Sequence, residues 1–307
     1  MNKRKLGSSD IEVSVVGVGC NNFGRRIHDV AQARAVVHRA LDLGITLFDT
    51  ADAYGDGTSE SFLGDSLGTR RSQAVIATKF GWGSPSGASR RTIMRTVEQS
   101  LKRLRTDWID LYQVHFPDPH TPIEETLRAL DDLVRQGKVR QIGCSNFSAK
   151  QVDEAQAASR QHGLAAFVTS QDEYSLLMRN IERDRVPAIQ RHGMTLLPYA
   201  PLAGGFLSGK YERGKPLPGN ARLAYSSHHA SDVLNDRNWT LMEQLRALAA
   251  KTGQSMLDIA FGWLLAKSYT AGVIAGASTP EQVEANVRAG QTKLSAGDVA
   301  ALDRITR

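Results

Sequence analysis

The sequence predicts a (β/α)8 barrel of the TIM type, an α/β fold, on three observations. Eight short apolar runs recur along the 307 residues and alternate with amphipathic segments of helical spacing. Each strand–helix pair takes about 30 to 40 residues, the length of a βαβ unit. No G-x-G-x-x-G opens the first helix after the first strand, which weighs against a dinucleotide-binding open sheet. Eight such pairs favour closure into a barrel, although the count leaves a doubly wound open sheet as the rival. No linker interrupts the pattern, so residues 1–307 are expected to form a single domain.

In chain order, residues 5–13 alternate around a Gly7-Ser8-Ser9-Asp10 turn and read as a small N-terminal β-hairpin. The apolar runs are 15–18, 46–48, 74–78, 109–114, 139–143, 167–170, 195–198 and 272–275. Their near-continuous apolar character suits strands buried on both faces of a parallel sheet. Asp29 and Gln32 have the spacing of a capping box, and Ala33, Val36, Val37, Ala40 and Leu41 then share one helical face. Thr121-Pro122-Ile123-Glu124 sets a cap, a first-turn proline and an N3 glutamate in order. Ile123, Leu127, Leu130 and Val134 follow on one face, with Gly137 placed to end the helix. Ser148 with Gln151, and Thr279 with Gln282, repeat the capping pattern. Residues 203–237, rich in Gly, Pro, Ser, His and Asn, read as one long functional loop in which His228 and His229 are solvated. Residues 238–251 and 295–306 read as two extra helices outside the repeat.

Composition sets limits on function. An apolar content of 41% with 23% charged residues is enough for a core without disulfides or metal. The net charge of +6 comes from scattered pairs such as Arg25-Arg26, Arg70-Arg71 and Arg90-Arg91. No aromatics interleave with them, which argues against a nucleic-acid surface, and a modest positive potential would also suit an anionic cofactor. Two cysteines, Cys20 and Cys144, make no disulfide framework and suit a reducing, cytoplasmic setting. Asp10 and Glu12 interrupt the apolar stretch near the start, so no export signal is read. No run of apolar residues is long enough to span a membrane.

In a β/α barrel, chemistry sits where strands end at the C-terminal face. Asp49, Lys79 and His115 each end an apolar run, and Tyr54 follows Asp49 closely. Singly, each has a plain structural reading as a cap, a satisfied histidine or a packing tyrosine. Lys79 is harder to place that way, because a buried ammonium needs a carboxylate, and Asp49 on the neighbouring strand is the natural partner. Together they describe carbonyl reduction. A phenol can protonate a developing alkoxide if a nearby ammonium brings its pKa down. A carboxylate holds that ammonium, and a neutral imidazole orients the substrate oxygen. Such a set needs no metal, and a cofactor must supply the hydride. The acidic string Asp49, Asp52, Asp56 and Glu60 could suggest a metal site, but no ligand spacing supports one.

Leu47-Phe48-Asp49-Thr50-Ala51-Asp52-Ala53-Tyr54-Gly55, Thr78-Lys79-Phe80 and Val114-His115 resemble the active-site pattern of the aldo-keto reductases, and the resemblance runs essentially end to end. It implies a catalytic tetrad of Asp49, Tyr54, Lys79 and His115 in an NADPH-dependent oxidoreductase that converts an aldehyde or ketone to an alcohol. It also implies cofactor contacts. Ser145, Asn146 and Gln171 would meet the nicotinamide carboxamide, with Asp49 nearby. Tyr199, within Pro198-Tyr199-Ala200-Pro201-Leu202, would stack on the nicotinamide ring. Gly204, Gly205 and Lys210 would face the pyrophosphate. Gly276, Ser278, Thr279, Gln282 and Asn286 would take the adenosine end, where a helix N-terminus suits the 2′-phosphate. Many relatives carry an arginine near Ser278 or Thr279, and this chain does not, so NADPH over NADH rests on hydroxyls and the helix end.

Substrate walls are expected from Asn22, Phe23, Tyr54, Trp82, His115, Phe116 and residues 203–237. The last predicted helix lies close to Arg307, so the pocket is expected to be open or completed by a partner. The alternative from another functional class is a cofactor-binding regulatory subunit resembling the potassium-channel β-subunits, which keep the same tetrad.

Overall fold

In a computed structural model of the chain, residues 1–83, 86–219, 221–224 and 227–307 are described, the side chains of 227–229 excepted. A hairpin of β1 (Lys3–Lys5) and β2 (Glu12–Ser14) comes first. Then follow β3 (Val16–Gly19), α1 (Val30–Asp42), β4 (Leu47–Asp49), α2 (Thr58–Leu67), β5 (Val75–Phe80), α3 (Arg90–Leu104), β6 (Ile109–Val114) and α4 (Ile123–Arg135). The second half holds β7 (Val139–Ser145), α5 (Ala149–His162), β8 (Phe167–Glu173), α6 (Arg185–Arg191), β9 (Thr195–Tyr199), α7 (Ser227–Val233), α8 (Asp236–Thr252), α9 (Met256–Leu265), β10 (Val273–Gly276), α10 (Pro280–Ala289) and α11 (Ala296–Ile305).

The eight strands after the hairpin run parallel in the order β10-β3-β4-β5-β6-β7-β8-β9. The seam between the two ends is stitched where the Leu196 N–H donates to Tyr269 O at 2.7 Å and the Ala271 N–H to Leu196 O at 2.9 Å. This decides between the two topologies: an open sheet has unpaired edges, and here the edges meet. The fold is a (β/α)8 barrel with an N-terminal hairpin, as the strand count suggested.

Two apolar cores follow from strand alternation. Leu47, Ala77, Leu111, Leu197 and Ile274 point inward, while Val18, Phe48, Ile76, Tyr112 and Ile142 face the helices. The hairpin's Leu6, Ile11 and Val13 join the inner core, so it plugs the end of the barrel opposite the site. Its turn is tight. Gly7 has φ +53°, its N–H donates to Thr195 Oγ1 at 2.8 Å, and a Cβ there would lie 2.3 Å from Val168 O. Backbone cannot swing aside as a side chain can. Gly7→Ala is therefore expected to destabilise the fold by about 2 kcal/mol or more, read as a lowered Tm. An unchanged Tm would show that the hairpin does not seal the barrel.

Local signals fared unevenly. Ser148 and Gln151 form the reciprocal capping box. Asp29 caps α1 through the Ala31 N–H, with no reciprocal bond from Gln32. Thr121 caps nothing: its hydroxyl donates to Asp118 at 2.7 Å, and α4 starts beside Pro122 without a side-chain cap. Thr279 accepts from the Gln282 N–H, but Gln282 reaches back to the Ser278 N–H at 2.8 Å.

The stretch 203–237 is not one loop. It holds 3-10 turns at Ala203–Ser208 and Arg222–Ala224, all of α7, and the start of α8. Its glycines and prolines lie within 204–219 and none lie within 227–237, so its composition averaged a loop with a helix. The side chains of His228 and His229 lie outside the described residues. Among the described residues, no helix is long and apolar enough to cross a membrane.

Candidate active site

The polar residues at the strand ends converge. Lys79 is fully buried, and its Nζ donates to both carboxylate oxygens of Asp49 and to Thr50 O, each at 2.8 Å. On the other side of Asp49, Gln171 Nε2 donates to Oδ1 at 2.7 Å. Tyr54 lies in the turn after β4, with Lys79 Nζ 5.1 Å from its ring centre and a side-chain hydrogen bond joining phenol and ammonium. His115 directly follows β6, its N–H donating to Phe80 O at 2.9 Å. Its ring meets Tyr54 edge-on at 5.7 Å.

Electrostatics differ from the sequence expectation in one respect. Burial by itself would lower Lys79, but Asp49 and then Tyr54 outweigh it, and the ammonium is held above its ordinary range. Tyr54 was expected to titrate below the usual tyrosine value. Burial instead raises the phenol, Lys79 offsets only part of that, and Asp49 adds to it, so the net direction is up. The reason is burial first: desolvating the phenolate outweighs the attraction of Lys79, and the Asp49 carboxylate beside that ammonium works against it. The phenol is therefore protonated at neutral pH. Burial, then Lys79, pushes His115 down to about 2, which leaves a neutral imidazole.

Around His115 the site opens to solvent through aromatics. Phe116 stacks on its ring at 5.1 Å and Trp82 meets it at 5.0 Å. Both stay well exposed, Trp82 at 44% and Phe116 at 40%. Two expected walls need correction. Phe23 is fully buried in the helix-side core and offers no surface to a substrate. Asn22 is mostly buried and its amide donates to Ser278 Oγ at 3.2 Å, so it faces β10 and not Tyr54.

A second network adjoins the first. The Ser145 hydroxyl donates to Gln171 O at 2.8 Å. Asn146 Nδ2 donates to His115 O and to Ser145 Oγ, both at 3.0 Å, and Asn146 Oδ1 accepts from the Tyr199 hydroxyl at 3.0 Å. Asn146 (φ +62°), Ala200 (φ +50°) and Ala203 (φ +45°) are left-handed without being glycine. Backbone held there costs about 1–3 kcal/mol per residue and concentrates at sites that need it.

Beyond Tyr199, Pro201 is buried and Leu202 half-buried, and Gly204 and Gly205 turn with φ +68° and +89°. Lys210 folds back over this turn, since a Cβ on Gly205 would lie 3.1 Å from its Nζ. Gly276 ends β10 next to β3, and Ser278, Thr279 and Gln282 sit at the open N-terminal end of α10, with Asn286 buried a turn further on.

Three cations were not read as site residues from the sequence. Burial holds Arg222 below its ordinary range, with attraction to Tyr54 working against this and repulsion from Arg26 and Arg25 adding to it. Lys210 is lowered by burial and then by Arg26. Arg25-Arg26 carried a signal as a basic pair in the segment between β3 and α1, whereas Arg222 in its 3-10 turn had none.

The acidic string is divided. Glu60 is fully buried, accepting from Thr78 Oγ1 at 2.6 Å and from Arg103 Nε at 2.7 Å. Asp52, beside it, is pushed up to about 7, by burial first and Glu60 second. Among the described residues no group of three or more such side chains could hold a metal.

Set beside known proteins, the chain matches the aldo/keto reductase family over residues 15–307. It is 34% identical over 300 residues to a probable voltage-gated potassium channel subunit beta of Arabidopsis thaliana, covering 94% of this chain and 91% of that protein. To a putative voltage-gated potassium channel subunit beta of Schizosaccharomyces pombe it is 35% identical over 300 residues, covering 93% and 87%. Among solved structures it resembles the holo form of an aldo-keto reductase from Bacillus halodurans. The TM-score is 0.83 at 32% identity, over 100% of this chain and 97% of that one.

Proposed function

This chain belongs to the aldo/keto reductase family, and from that premise we propose that it is an NADPH-dependent reductase of aldehydes or ketones, with Tyr54 as the general acid. One observation carries the reading: a protonated phenol, hydrogen-bonded to a buried ammonium, sits beside a neutral imidazole at an aromatic opening.

The residues fit a nicotinamide dinucleotide. Lys210 lies over the Gly204–Gly205 turn and feels Arg26, and Arg222 feels Arg26 and Arg25, a cationic neighbourhood that suits a diphosphate. Ser145, Asn146 and Gln171 offer amide and hydroxyl groups to a carboxamide, and the half-buried Tyr199 offers a ring face. Ser278, Thr279 and Gln282, with Gly276 and Asn286 beside them, would take the adenosine end at the α10 N-terminus. When bound, the cofactor supplies the hydride to the carbonyl carbon. Tyr54 donates its proton to the oxygen as charge develops there, and Lys79 receives the resulting phenolate as a neighbour. Uncharged His115 orients that oxygen, and Trp82 and Phe116 keep water from one side of it. Asp49 holds Lys79 in place.

The test is carbonyl-dependent oxidation of NADPH over a panel of aldehydes, ketones and sugars. We expect kcat/KM to favour NADPH over NADH by about 10-fold or more, the worth of one charge-assisted phosphate contact. Equal values would remove the 2′-phosphate from the α10 end.

A second reading has a specific support in the channel β-subunit names of the relatives, and it makes the chain a cofactor-binding regulatory partner. Stable co-purification with another protein, and no turnover on any carbonyl, would favour it over the enzyme. The buried, unbridged Cys20 and Cys144 fit the reducing cytoplasm under either reading.

A further inference from the structure

Trp82 and Phe116, the exposed rings at the opening, come from different segments, Trp82 just after β5 and Phe116 just after β6. They meet at 5.6 Å, and each also meets the His115 ring. Two segments that build one wall need their separation fixed, and a half-buried carboxylate does this. Asp118 Oδ2 accepts from the Ala88 N–H at 2.8 Å, reaching from the segment before α4 to the segment before α3. The Gly87 N–H donates to Gly81 O at 3.1 Å, which ties the chain neighbours of Ala88 and Trp82 together. Gly87 also leaves room for the carboxylate, since a Cβ there would lie 3.0 Å from Oδ2.

The same side chain organises its own segment. Oδ1 accepts from the His120 N–H at 2.9 Å, two residues on, in the manner of an Asx turn. Oδ2 also accepts from the Thr121 hydroxyl at 2.7 Å. Burial works to raise the Asp118 carboxyl, but the bonds from Ala88, Thr121 and His120 outweigh it and hold the group below its ordinary range. Bonds to a charged acceptor are the stronger kind. The Ala88 carbonyl accepts from Thr126 Oγ1 of α4 at 2.8 Å. Without Asp118, Ala88 would be held at its carbonyl alone and free to pivot.

We infer that Asp118 is a positioning residue that fixes the segment carrying Trp82 against the segment carrying Phe116, and so sets a preference of the opening for aromatic over short aliphatic carbonyls. The preference rests on the carbonyl-reductase reading above, whereas the clasp itself does not. None of the bonds of Asp118 reaches the tetrad, so its effect on reduction passes through the two rings. Aromatic rings attract over a narrow range of offset and separation. A small shift between the segments therefore costs an aromatic substrate its wall, while a short aliphatic chain touches little of it.

The test is Asp118→Ser. A serine hydroxyl can keep the local turn onto His120 but is too short to reach Ala88. Wild type should prefer benzaldehyde to propanal by kcat/KM. The variant should lose about 5-fold or more of that ratio, the worth of one hydrogen bond, with the NADPH dissociation constant unchanged. Asp118→Asn, which keeps an acceptor oxygen for Ala88, should restore most of the ratio. A merely structural residue would weaken both aldehydes alike, and a folded serine variant with the wild-type ratio overturns the inference. So does a wild type without preference between the two aldehydes. If the serine variant does not fold, the Ala88 amide decides in the wild-type protein: slow hydrogen exchange read by NMR supports the clasp, and exchange at the rate of an open loop overturns it. Wild-type protein that reduces neither aldehyde with NADPH overturns the reductase reading and, with it, the preference, while Ala88 exchange still decides the clasp.

Discussion

Tyr54→Phe is expected to lower kcat for carbonyl reduction by about 10²-fold or more, with NADPH still bound. The substitution removes one oxygen and little else. The ring keeps its edge contact with His115 at 5.7 Å and its place beside Lys79 Nζ at 5.1 Å. Lys79 keeps its three bonds to Asp49 and Thr50, so the ammonium is not orphaned. What disappears is the phenol proton, which burial holds more firmly and which lies beside that ammonium. The pH dependence has a defined sign. Reduction needs the phenol protonated, so the rate is lost only as pH rises toward the elevated Tyr54 value. His115 at about 2 adds no limb between pH 5 and 8. In Tyr54→Phe the alkaline limb should vanish with the activity. A variant that kept wild-type kcat would hand the proton to another group and undo the assignment.

The parts of this site that were readable beforehand share a cause. Asp49, Lys79 and His115 sit at the ends of apolar runs, and strand ends are where a β/α barrel gathers its chemistry, so run boundaries alone placed three of the four residues on one face. Barrel closure was less accessible, because the Leu196–Tyr269 seam depends on backbone pairing between segments far apart in sequence. Side-chain direction was harder again. Phe23 follows a strand end much as Trp82 does, yet a bridge from Phe23 to Ile27 closes its turn and buries the ring. Thr121 had the right spacing for a cap and was taken by Asp118, a competing carboxylate three residues back. The direction of the Tyr54 shift needed relative magnitudes of burial and charge, which residue types do not carry. Asp118 and Ala88 were invisible as a pair, since nothing local joins a residue before α4 to one before α3.

Lys79→Met is the companion experiment, and its interpretation turns on separating chemistry from stability. Methionine matches the length of lysine but leaves the nearly buried Asp49 carboxylate with Gln171 as its remaining side-chain donor. Breaking one side of a buried pair costs about 3–5 kcal/mol, so a lower Tm is expected whatever the role of Lys79. Loss of kcat, again by about 10²-fold or more, follows from Tyr54 losing the one neighbour in this pair that opposes its elevation, while Asp49 continues to raise it. The loss should be larger for alcohol oxidation, which needs the phenolate, than for reduction, which needs the phenol. The double variant Asp49→Asn with Lys79→Met distinguishes the two effects, because a neutral pair no longer strands a charge. It should recover much of the Tm and none of the activity. Recovery of both would reduce Lys79 to a structural cation and leave Tyr54 without the partner that makes it an acid of the right strength.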